Sequence, residues 1–142
     1  MKTPIFCSLA LLAGALHAAE DVRPLVPMPA AADANLRAEM RANMLALNEL
    51  LSLVAAGKLK EAGEVAEREL GVSAMGRHRS QPFDARPGPH MPPAMHRIAI
   101  DGHQAASEFA RIAASGDREK TLAALPSLTT ACVACHYAYR IR

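Results

Sequence analysis

The chain has 142 residues, 51% of them hydrophobic, 21% charged and only 4% aromatic, with three Phe, two Tyr, no Trp and a formal net charge of +2. That length suits one domain, and the apolar share excludes a disordered chain. A charge so near zero, with no block of like charges, excludes a nucleic-acid binder. So few aromatics leave two ways to fill a core: Leu, Ala and Met alone, or a bulky group that is not protein.

Met1 and Lys2 precede an almost wholly apolar stretch over 5–16, and His17, Ala18 and Ala19 then lead into Glu20 and Asp21. A charged start, a short apolar run and small residues at a cut site read as a secretory signal over 1–19. The stretch is too short to span a membrane. Cys7 lies within it and does not follow it, which argues against a lipoprotein anchor. The expectation is an exported, periplasmic bacterial protein with no membrane attachment after cleavage. Cys132 and Cys135 then remain for a disulfide or a ligand.

Pro24, Pro27 and Pro29 predict an extended leader over 20–32. Asp33 or Asn35 can cap a first helix, whose stripe is Leu36, Met40, Met44, Leu47, Leu51 and Val54, ending at Gly57. A second helix over 58–70 turns Leu59, Ala62, Val65, Ala66 and Leu70 inward, and Gly71 stops it. Residues 71–94 hold five prolines and read as a long crossover, uncommon unless it covers or borders something. Pro92 or Pro93 suits the first turn of a third helix. Its inner face is Met95, Ile98, Ala99, Gly102, Ala106, Phe109, Ala110 and Ala113. Asp117 caps a fourth, with Leu122, Leu125, Leu128 or Thr129, Cys132, Cys135 or His136, and Tyr139 inward. Pro126 should kink that helix or start a fresh segment. The pattern predicts an all-α protein, an antiparallel four-helix bundle over 33–142.

The sharpest signal is Cys132-Val133-Ala134-Cys135-His136. On a helix these cysteines and the histidine fall at i, i+3 and i+4, on one face. Two thiols so placed can reach the two vinyl groups on one edge of a haem, and the imidazole can point its Nε2 at the iron. The motif therefore predicts one covalently attached haem c with His136 as proximal ligand. A structural zinc site wants four ligands, which only His78, His90, His96 or His103 could complete. A thioredoxin-like dithiol normally opens a helix after a strand, and a plain disulfide leaves His136 unexplained. No acid–base pair or nucleophilic triad stands out, so no enzymatic turnover is expected.

The motif and its surroundings resemble the class II c-type cytochromes, meaning cytochrome c′ and low-spin relatives such as cytochrome c556. The resemblance covers roughly 33–142 and is most specific from the Gly116-Asp117 turn through Arg140. It implies an exported four-helix bundle with the haem motif near the C-terminus. The family carries an Arg four residues after the proximal histidine, which Arg140 matches. On a continuing helix that guanidinium would neighbour the imidazole or a haem propionate; the alternative is a cation favourable to the helix dipole.

In the family the sixth position is filled from the first helix, a few residues after an Arg. A Met there implies a six-coordinate electron carrier; an apolar side chain implies a five-coordinate haem that binds NO or CO. Arg37 and Arg41 leave Met40, Met44 and Leu45 in contention, and the family's helix length, counted back from Gly57, favours Met40. Met91 and Met95 are further candidates. His96 and His103 share a helical face, so a bis-histidine haem also stands open. Gly102 would suit close approach of a porphyrin or of another helix. The expected function is a periplasmic monohaem c-type cytochrome carrying single electrons between redox partner proteins. The alternative is a five-coordinate binder of small gas ligands. The resemblance also implies a homodimer, since the family often dimerises.

Overall fold

The computed structural model describes residues 20–141, and the expected secretory signal over 1–19 lies outside them. The chain is all-helical: α1 spans Ala30–Ala55, α2 Leu59–Val65, α3 Pro93–Ala114 and α4 Arg118–Ala138. A π turn over Ala66–Leu70 extends α2, and 3-10 turns punctuate the crossover at Val72–Ala74, Phe83–Ala85 and Gly88–His90. Among the described residues, β pairing is limited to one parallel bridge, Leu25 with Arg140.

Neither Asp33 nor Asn35 caps α1. Pro29 is the N-cap, and the helix begins at once in Ala30, Ala31 and Ala32, because alanine is the strongest helix former. Asp33 instead lies in the first turn, favourable to the dipole, and pairs with Arg37 one turn on at 3.1 Å. The extended leader is thus 20–29 rather than 20–32. Asn35 turns outward, donating to Ala85 O at 2.7 Å and Gln81 Oε1 at 2.9 Å. Glu39 adds an ion pair to Arg77 at 3.5 Å, and its other oxygen lies 3.5 Å from His78 Nε2. The crossover therefore borders the first half of α1.

Gly57 and Gly116, both at φ +74, close α1 and α3, a backbone region that costs glycine little. Asp117 caps α4 as expected, accepting from Lys120 N–H at 3.0 Å. The α4 stripe differs from expectation at two places: Thr121 is fully buried in place of the exposed Leu122, and Cys132 is exposed. On α1, Leu50 is buried whereas Met44 and Leu51 face solvent. Thr121 tolerates burial because its hydroxyl donates to Asp117 O at 2.7 Å. Helix α4 runs through Pro126 without a fresh segment. The Thr129 and Thr130 hydroxyls both donate to the Pro126 carbonyl, at 3.2 and 2.8 Å.

Two buried clusters result. The larger joins Ala46, Leu50 and Val54 of α1 to α2, to Ala106, Phe109 and Ala113 of α3 and to Leu128 of α4. The smaller consists of Val26, Leu36 and Met95, with Met28, Met40, Met91, Cys135, Tyr139 and Ile141 packed on it. Helix α3 packs along α4 and against α2, and α1 against α2; α1 and α4 are not among the closely packed pairs. A core of Leu, Ala and Met alone is not what forms: the larger cluster is Leu, Ala and Val around a single aromatic, Phe109, and the methionines gather on the smaller one.

Candidate cofactor site

Because α4 is unbroken to Ala138, Cys132, Cys135 and His136 stand on consecutive turns of one helical face. Both cysteines are free; Cys132 is exposed and Cys135 half-buried. Burial pushes the Cys135 thiol above its usual value, and the neighbouring Cys132 adds to the rise. The Cys135 thiol is therefore held neutral. Close packing from behind fixes this stretch: a Cβ on Gly102 would stand 3.1 Å from Ala131 Cβ, so the absent side chain lets α3 approach α4 one residue before Cys132. Of the two readings of Gly102, the structure supports helix packing.

Met40 and Cys135 pack on the same cluster, from α1 and α4 respectively. One turn beyond Met40 the apolar side chains face outward, with Met44 67% exposed and Leu45 72% exposed. Met40, Arg41, Met44 and Leu45 line an open, mostly apolar cleft of about 460 Å³. Met91 also packs on the smaller cluster and Met95 is one of its buried members. Three residues before Met40, Arg37 Nη2 is buried without a hydrogen-bond partner. A buried guanidinium N–H in that state costs free energy that an anionic group would recover.

These features fit a haem. An apolar cleft on α1, two free thiols and an accessible imidazole on α4, and an unsatisfied cation donor suit an apolar macrocycle with acidic substituents. A zinc centre fits less well, because no group of three or more His, Cys, Asp or Glu side chains converges among the described residues. His103 is tied through Nδ1 to Leu70 O at 2.7 Å and Gly71 O at 3.0 Å, and His96 is exposed.

Arg140 is not where a continuing helix would put it. Tyr139 is extended, at φ −134 and ψ 155, so Arg140 lies beyond the helix and not one turn on from His136. Its Nε donates to Arg23 O at 2.9 Å, and its backbone pairs with the leader, Val26 N–H to Arg140 O at 2.8 Å and Arg140 N–H to Pro24 O at 3.1 Å. The cation at the end of α4 is Arg23, whose Nη1 donates to His136 O at 2.5 Å and to Tyr139 O at 3.3 Å. Asp21 pairs with Arg23 at 2.6 Å, and that hydrogen-bonded guanidinium holds the Asp21 carboxyl down at about 2. The sequence reading missed Arg23, Asp21, Val26 and Ile141. The prolines of the leader signal only that it is not helical, and nothing local says where it docks.

No family model, curated protein or solved structure matches the chain. Among the described residues no helix is long and apolar enough to cross a membrane.

Proposed function

We propose that the chain is an exported, periplasmic monohaem c-type cytochrome, an antiparallel four-helix bundle that carries single electrons between redox partner proteins. The observation that carries this reading is the α4 face on which Cys132 and His136 are exposed and the free Cys135 packs on the same cluster as Met40 of α1. Each thiol would add across one vinyl double bond, sulfur joining one carbon and the proton the other, with no net oxidation. The two thioethers would anchor the group to α4, and His136 would bind the iron from the same face. Met40 is the favoured residue for the opposite side, with Met44 and Leu45 lining the cleft. The haem would supply an iron that cycles between ferric and ferrous, while the chain sets its potential through ligand, burial and nearby charge. Residues 20–29 and the half-buried methionines would exclude water from one edge.

A second reading is a five-coordinate binder of NO or CO. It is favoured by the outward apolar side chains of Met44 and Leu45, which leave the α1 side of the cleft open. One experiment addresses both. The protein is expressed with the haem-attachment machinery, denatured, and examined for covalently retained haem, beside Cys132→Ala and Cys135→Ala. Covalent haem in the parent, with the attachment weakened in either variant, is the expected outcome; a colourless parent overturns the reading. Low-spin bands in the reduced protein favour the electron carrier, and five-coordinate high-spin bands favour the gas binder.

A further inference from the structure

The end of α4 beside His136 is held by residues far from it in sequence. A helix leaves its last carbonyls without intrahelical partners, and its C-terminus carries partial negative charge. Here the Arg23 guanidinium supplies the missing donor, to His136 O at 2.5 Å and Tyr139 O at 3.3 Å. Three further bonds fix the leader that delivers it: Val26 N–H to Arg140 O, Arg140 N–H to Pro24 O and Arg140 Nε to Arg23 O. Val26, 2% exposed, seats this segment in the smaller cluster beside Cys135. Asp21 in turn orients the guanidinium through Nε, at 2.9 Å, and Nη2, at 2.6 Å.

We propose that Arg23 is a positioning residue for His136: the leader is a clamp that fixes the end of α4 and sets the charge beside the proximal ligand. The inference rests on the haem reading, since it gives His136 an iron to bind. Fixing the His136 peptide group limits how far the last turn of α4 can fray, and so restricts the directions the imidazole can take. The charge effect has a definite sign. A cation near the iron disfavours the ferric state, and Asp21 partly cancels that cation. Loss of Arg23 leaves an unbalanced carboxylate, while loss of the Asp21 charge leaves an unbalanced guanidinium. A purely structural contact would not separate these two changes, because either substitution loosens the same clamp.

The test uses the haem-loaded full chain with Arg23→Gln, Arg23→Lys and Asp21→Asn. Midpoint potentials are measured at low and high salt, with amide hydrogen exchange of 135–140 read in parallel. The expected results are a lower potential in Arg23→Gln, a higher one in Asp21→Asn and a value nearer the parent in Arg23→Lys. Both shifts should shrink with added salt, because Arg23 and Asp21 are partly exposed. Exchange of Tyr139 and its neighbours should quicken several-fold in Arg23→Gln. Haem attached normally, with potential and exchange unmoved in Arg23→Gln and Asp21→Asn, overturns the clamp alone. Shifts of the same sign in those two variants overturn its electrostatic part. A parent that attaches no haem overturns the haem reading itself, and the clamp's role with it.

Discussion

Burial separates the two methionines that the sequence left in contention. Met40 is half-buried against the smaller cluster, so much of its conformational freedom is already lost, whereas Met44 is 67% exposed. Ordering a free methionine side chain costs rotamer entropy that a packed one has already given up. In the haem-loaded protein Met40→Ala should therefore replace low-spin by five-coordinate high-spin bands, and Met44→Ala should leave the spectrum unchanged. The reverse pattern would move the ligand to Met44, and no change in either would remove methionine ligation. At this scale the sequence was informative about helical placement, since Cys132, Cys135 and His136 do fall on one unbroken helix. It misled where one residue's backbone decided the outcome. The turn of Tyr139 to extended conformation redirects Arg140, and the Thr121 hydroxyl reaches Asp117 O, so the buried stripe of α4 takes in Thr121 while Leu122 faces outward.

The helices themselves were legible, because apolar residues repeat at helical spacing and every end except the C-terminus of α4 lies beside a Pro, Asp or Gly. The π turn was not, since it depends on contacts between elements. There Glu67 accepts from Ser73 N–H at 3.0 Å and from the hydroxyls of Ser107 and Ser73, tying the end of α2 to α3. Those hydroxyls, Ser107 first and Ser73 next, hold the Glu67 carboxyl below its usual 4.5. A group depressed by folding contributes stability that is full above its unfolded value and lost as pH falls through its folded one. Urea titrations of the parent and Glu67→Gln should thus differ most at neutral pH and converge in acid; a constant difference would remove ionisation from the contact. Helix packing gives a second test. A Cβ on Gly63 of α2 would lie 2.9 Å from the Ala110 carbonyl oxygen, a backbone atom of α3. Gly63→Ala should gain up to about 1 kcal/mol in helix propensity yet lose about 1–3 kcal/mol to overpacking. A net fall in stability is expected, and a stabilised variant would show that α2 and α3 can separate without cost.

Across the whole molecule the two clusters differ in how they are closed. The larger draws on all four helices around Leu50, Phe109 and Ala113, each almost fully buried. The smaller is closed by the leader, by residues 139–141 and by partly buried methionines, and an open cleft on α1 begins at Met40. Local stability follows buried apolar contact, so the two ends should open with different free energies. In the haem-free chain, amides around 36–45 and 131–140 should exchange faster than those around Leu50, Ala62 and Phe109. A covalently held macrocycle filling the cleft stabilises only the state that encloses it. Haem loading should then slow exchange by at least tenfold at 36–45 and 131–140, with little change at local openings around Ala62. Equal protection at both ends before loading would contradict the division into a self-sufficient core and a cofactor-dependent one. Slowing confined to α4 would leave the α1 cleft outside the haem site, and would take Met40, Met44 and Leu45 with it.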